Sequence, residues 1–250
     1  MILQQLQQAK SAFSLLSPHE VRARANRPLV VGLVAEHGAA YAEMEDFLLP
    51  PAVSPDKRMQ AMQSVYRACD RAAPEKYDLV LYQPGLPRPE TAFTFFPFDP
   101  NRTVEEIIKA RDDLALPLAR TFNPFRKPVI DHIITSIARE NAIFAMTSAL
   151  PNVLPNLLEL PWALGEFASD TAFITMNQVR MAFQVAAASD REVGYDTQVA
   201  ELVSIAAGAF GWRALARELV GFIPFGGGLI PKGAIAFAVT YVLGKGLEHF

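Results

Sequence analysis

Two prolines bracket three consecutive glycines in Ile223-Pro-Phe-Gly-Gly-Gly-Leu-Ile-Pro-Lys232, and an apolar helical pattern lies on either side, Glu201–Val220 and Gly233–Leu243. No other stretch limits the fold as tightly. Pro224 and Pro231 each lack the N–H that a helix interior needs, while Gly226, Gly227 and Gly228 admit left-handed backbone and close contact. The pattern predicts a tight hairpin between two packed helices. Glycine N–H groups followed by a lysine at a helix start can also cradle phosphate. The Walker spacing is absent, however, because Lys232 follows Pro231 and not a glycine. A third use for such a turn, with Phe222 and Phe225 flanking Pro224, is contact with a membrane surface.

With 51% hydrophobic residues in 250, the chain can bury one large core or two modest ones. A net charge of −3, with no Lys/Arg-rich run, argues against nucleic acid as a partner. The single cysteine, Cys69, excludes an internal disulfide and fits a reducing, cytoplasmic setting. The four histidines are too scattered for zinc-type spacing, so no metal or other cofactor is expected. The opening residues show no basic segment leading into an apolar core, and no signal peptide is expected. Ala142–Leu158, Leu219–Pro231 and Gly233–Gly244 are uncharged, but prolines or Lys232 interrupt each before the roughly 18–20 apolar residues a bilayer span requires. They read as buried helices or as short hairpins dipping into one leaflet.

In chain order, Ile2–Leu16 has the spacing of an amphipathic helix, and Ser17-Pro-His-Glu20 resembles a capping box opening a second helix that Pro28 ends. Leu29–Ala35 is a continuous apolar run suited to a strand buried on both faces. A turn at Glu36–Ala39 leads into a helix over Ala40–Leu49, with Tyr41, Met44, Phe47 and Leu48 on one side. Another helix is expected from Ser54-Pro55 through Met59, Met62, Val65, Tyr66 and Cys69, then strands at Leu79–Tyr82 and Thr91–Phe98. Beyond Asn101 the pattern turns helical. Thr103-Val-Glu-Glu106 reads as a capping box, residues 117–128 with three prolines and Arg120, Arg126 and Lys127 read as a linker, and Val129–Leu150 as a long helix. Asp170 and Asp196 are expected helix caps, with Phe173, Met176, Val179, Phe183 and Ala187 forming a stripe between them. The resulting layout is N-terminal helices (1–27), a small α/β domain with a mostly parallel sheet (28–100), a helical connector (101–169) and an all-α apolar domain carrying the glycine hairpin (170–250).

Few residues present themselves as chemistry. His37-Gly38 falls at the carboxyl end of the first strand, where α/β folds bind ligands, and is the best candidate for a binding site, although a turn histidine also fits. Asp131-His132 and Arg139-Glu140-Asn141 read as a solvated helix face. Arg213 and Arg217 share one helix face, suited to an anionic lipid or to a salt bridge with Glu218 or Glu201. Ala234, Ala236, Ala238, Thr240 and Gly244 allow close helix–helix approach.

Thr175-Met-Asn-Gln178, Ala206-Ala-Gly208, Ala209-Phe-Gly-Trp-Arg213, Ala216-Arg217, the glycine turn, Ala234-x-Ala236, Thr240 and Gly244-Lys245 together resemble the helical domain of unknown function joined to bacterial Era-like GTPases and found in related inner-membrane proteins. That resemblance covers Asp170–Phe250 and implies membrane association with no established catalytic residue. The N-terminal region is similar in layout to a P-loop GTPase that has lost its chemistry. AEHGAAYA at Ala35–Ala42 stands in the phosphate-loop slot without its glycines, lysine or serine, and Tyr82-Gln-Pro-Gly85 stands where DTPG would be.

The expected function is therefore non-catalytic: a membrane-surface or protein-partner binder on a degenerate GTPase-like scaffold at the inner face of the cell membrane, with self-association open. A nucleotide-binding or hydrolytic enzyme using His37, and an integral membrane protein with re-entrant helices, are the competing readings.

Overall fold

A computed structural model describes residues 17–68, 70, 73–147, 170–206 and 229–249. These residues are mostly helical, with one small parallel sheet. The elements are α1 (Pro18–Ala25), β1 (Val31–Val34), α2 (Gly38–Leu48), α3 (Pro55–Met62), β2 (Val65–Arg67), β3 (Leu79–Tyr82), β4 (Phe93–Thr94), α4 (Pro100–Ala110), a 3₁₀ turn (Asp112–Leu114), α5 (Ala115–Thr121), α6 (Asn123–Thr147), α7 (Asp170–Ala188) and α8 (Leu229–Leu247). Residues 199–206 are also helical. The chain divides into two compact units. One is built from Ala23–Val129 with Ala188–Asp190, the other from Met1–Arg22, Ile130–Ala187 and Arg191–Phe250.

The first unit carries the sheet, in the order β2-β1-β3-β4 with every pair parallel. The central strand β1 is as apolar as its position demands, with Val31 and Leu33 fully buried. Gly32 makes room for an aromatic ring. A Cβ there would lie 2.8 Å from Tyr77 Cδ1. The side chains expected on one face of α2 do pack inward, with Tyr41, Met44 and Leu48 buried.

The helix expected from Ser54 to Cys69 stops at Met62, and Val65–Arg67 becomes the edge strand β2. The turn at Gln63-Ser64 ends the helix, and the β-branched and aromatic Val65 and Tyr66 suit the strand that follows. Arg67 then grips Glu45 of α2 through a two-point fork at 2.7 and 2.9 Å, while its guanidinium lies over the Tyr41 ring. Cys69 lies outside the described residues.

Two further expectations change within this unit. Asp99 caps α4 by accepting from the Arg102 N–H, and Pro100 takes the first turn, so the helix starts ahead of the expected Thr103 box. Thr103 is instead buried, and its hydroxyl accepts from the Phe96 N–H at 2.9 Å, fastening α4 to the segment after β4. Residues 117–128 are helix and core in place of linker. Pro117 lies in the first turn of α5 and Pro124 in that of α6, where a missing N–H costs little. Phe122 and Phe125 are completely buried, and Phe125 meets Phe47, which in turn meets Phe95.

In the second unit α6, α7 and α8 meet on a seam of small and polar side chains. Ala236 and Thr240 are buried as the spacing predicts, whereas Ala234 and Ala238 face outward. Gly233 and Gly244 complete the seam. A Cβ on Gly244 would stand 2.7 Å from Ile134 Cγ2, and one on Gly233 2.5 Å from Met146 Cγ. Pro231 lies inside α8, which begins at Leu229, because a proline is tolerated in the first turn. Asn141, expected on a solvated face, is fully buried: its side-chain N–H donates to Thr240 Oγ1 at 2.9 Å, and its Oδ1 accepts from Asn177 at 2.7 Å. The stripe on α7 shifts accordingly. Asn177 and Gln178 are buried while Met176 and Val179 are half-buried. Lys245 of α8 pairs with Asp131 and Glu248, and the hydrogen bond it donates to Asp131 leads the causes that raise its pKa.

Candidate functional site

In an open parallel sheet the ligand crevice lies outside the carboxyl ends of the strands, where connections leave in opposite directions. Here that point falls between β1 and β3. From β1 the chain proceeds toward β2 on one side, and from β3 toward β4 on the other. The connection from β1 to α2 is only Ala35-Glu36-His37.

Two polar groups of this turn, the His37 ring and the Glu36 N–H, have structural tasks. The Ala40 N–H donates to His37 Nδ1 at 3.2 Å, making His37 the N-cap of α2. Gln83, just after β3, accepts from the Glu36 N–H through its side-chain oxygen at 3.0 Å and donates its own N–H to Val34 O at 2.9 Å. The amide of Gln83 thus spans the mouth of the crevice. Gly85 adopts a φ of 91°, which the turn after β3 requires. Gly38 is different: a Cβ there would meet nothing within 4 Å, so no close backbone approach explains it. Ala40, Tyr41 and Ala42, expected in a phosphate-loop slot, lie within α2, and Tyr41 is buried. Asp99 is spent on capping α4.

At the opposite pole, toward the amino ends of β1 and β2, the sheet-bearing unit contains a cavity of about 570 Å³. Leu29, ahead of β1, and Ser64, ahead of β2, belong to its wall. Lys57 from α3, Arg120 from α5 and Arg126 from α6 line it together with Asp190. Lys57 Nζ lies 2.6 Å and an Arg126 nitrogen 3.3 Å from Asp190 Oδ2, with Arg120 Nε at 3.9 Å from Oδ1. Asp190 is held by an unusual backbone. It sits just past α7 with φ 59°, and the Arg191 N–H reaches back to Ala186 O at 2.9 Å. This is a Schellman ending with aspartate in the left-handed place that glycine usually takes. A fourth wall cation, Arg27, pairs with Asp78 and lies 3.7 Å from Asp113. Asp113 is also hydrogen-bonded to Arg111, and that bond, helped by the charges of Arg111 and Arg27, outweighs the opposing effect of burial and holds its carboxyl below the usual range.

The remaining candidates divide sharply. Arg213, Arg217, Phe222, Pro224, Phe225, Gly226, Gly227 and Gly228 lie outside the described residues. Lys232 is exposed in the first turn of α8. Glu201, one expected partner for the two arginines, is bonded to Arg191 at 2.7 Å. Sequence reasoning missed the cavity because Lys57 and Asp190 are far apart in the chain. Arg120 and Arg126 were visible as a basic cluster but lay in an apparent linker. Among the described residues, no group of three or more His, Cys, Asp or Glu could hold a metal ion. In comparisons with known proteins, no family model, curated protein or solved structure matches the chain.

Proposed function

We propose that this protein acts by binding rather than by chemistry, as a partner- or membrane-surface-binding protein on a degenerate GTPase-like scaffold. In this reading an N-terminal α/β domain is followed by a helical domain whose apolar segment, Phe222–Lys232, works at the inner face of the cell membrane, with self-association as one form of partnering. The observation that supports it is the crevice between β1 and β3. Its mouth is spanned by Gln83, its histidine caps a helix, and its strand-to-helix turn is three residues long, shorter than the Walker loop GxxxxGK[ST]. Among the described residues no helix is long and apolar enough to cross a membrane, which favours shallow contact over a span for those segments.

Co-sedimentation with liposomes tests this directly. Full-length protein should co-sediment with vesicles containing anionic lipid, and Phe222→Ser with Phe225→Ser should release it without lowering its thermal midpoint. Wild-type protein that stays in the supernatant with every lipid composition, and shows no detergent dependence, would remove the membrane arm.

A second reading, nucleotide binding or hydrolysis around His37, draws on the exposure of that side chain at the strand end. It makes the opposite forecast in a calorimetric titration with Mg²⁺ and GTP. We expect no heat of binding. A low-micromolar dissociation constant that disappears on substituting His37 would establish the enzyme reading instead.

A further inference from the structure

The cavity at the amino ends of β1 and β2 combines features that the strand-end crevice lacks. Its volume of about 570 Å³ falls in the range of small-molecule sites. Its wall is chemically divided. Leu29, Leu49 and Ala61 contribute buried apolar surface, while Lys57, Arg120 and Arg126 face a single carboxylate. Lys57 and Arg126 converge on the same oxygen of Asp190, so one monoanion is shared between two cations at close range. A small organic phosphate monoester has the complementary form. Near neutral pH its head carries between one and a half and two negative charges, roughly, and three acceptor oxygens. A guanidinium fork and a lysine point charge both suit those oxygens, and an organic tail would rest on the apolar wall.

The geometry points to a binding site for a small phosphate monoester in this cavity, with Lys57 and Arg126 as its principal contacts and Asp190 as the built-in counter-charge. When the cavity is empty of ligand, the carboxylate of Asp190 holds the two cations in place and offsets part of their repulsion. A phosphate dianion entering beside it takes over one or more of those contacts. The left-handed backbone at Asp190 fixes the carboxylate at the end of α7, where glycine would have given the same turn with no side chain.

Phenyl phosphate provides the soluble probe, titrated calorimetrically into the full-length protein at low salt, with phenyl sulfate as the singly charged comparison. Binding with a dissociation constant of about 1 mM or tighter is expected for phenyl phosphate, and weaker binding for phenyl sulfate. Lys57→Gln and Arg126→Gln should each weaken phenyl phosphate by about tenfold, whereas Asp190→Asn, which keeps a residue tolerant of left-handed backbone, should tighten it several-fold. Thermal melts of all three variants confirm that each is folded before its affinity is read, and Lys57→Gln alone, on the exposed α3, suffices for the decision. Vesicles containing phosphatidic acid distinguish the source of the head group. Binding to them that depends on Lys57 assigns the site to lipid, and binding confined to phenyl phosphate assigns it to a soluble metabolite. No binding of either probe, or binding that Lys57→Gln and Arg126→Gln leave unchanged, overturns the proposal, as does Asp190→Asn weakening it.

Discussion

Phe125→Ala should destabilise the sheet-bearing unit by about 3–5 kcal/mol, the range for removing a fully buried phenylalanine. Phe125 has no exposed surface and touches both Phe122 and Phe47, so its ring joins α6 to the end of α5 and to α2. Truncation forfeits the transfer energy of the ring and leaves a void. The surrounding core cannot easily fill that void, because close-packed interiors relax only partly around a deleted side chain. Urea denaturation followed by far-UV circular dichroism gives the measurement. A loss under about 1 kcal/mol would mean that residues 117–128 behave as the linker their proline content suggests.

Asn141→Leu should cost the helical unit about 2–4 kcal/mol, although leucine has the same branched shape and helices favour it. Asn141 both donates to Thr240 and accepts from Asn177, and all three side chains are buried. Removing the central amide strands a hydroxyl on α8 and an amide on α7 without water to replace it. The triple variant Asn141→Leu, Asn177→Leu, Thr240→Val should recover much of the loss, because an apolar seam with no polar group left over carries no desolvation penalty. If the triple variant is as unstable as the single one, packing volume and not hydrogen bonding sets the cost. The same network explains why the stripe on α7 differs from its hydrophobic pattern. Asn177 is drawn inward by a partner on α6, and the helix turns to present it.

Much of the local structure was legible from the chain alone. The apolar β-branched run at Leu29–Ala35 allowed only a buried strand, and β1 occupies Val31–Val34 within it. The 3.6-residue spacing of Tyr41, Met44 and Leu48 set the inward face of α2, and the Ser17-Pro18 pair placed the start of α1. These are properties of short segments, where backbone stereochemistry and one-sided burial leave few alternatives. The small residues of α8 likewise announced a close helix contact, and Ala236, Thr240 and Gly244 make one.

Tertiary structure decided whatever depends on a partner distant in sequence. Val65–Arg67 became a strand because β1 offered it a parallel edge, which no local propensity records. The proline-rich 117–128 segment became core because Phe125 found Phe122 and Phe47; Pro117 and Pro124 are harmless in first turns, and Pro128 is accommodated inside α6. His37 was placed at the strand end by sequence, but only the fold made it a helix cap beside a crevice already spanned by Gln83. The charged cavity needed three-dimensional closure most of all. Lys57, Arg126 and Asp190 are ordinary residues in the chain, and their electrostatics arise only when folding brings two separate segments within hydrogen-bonding distance of the carboxylate on a third.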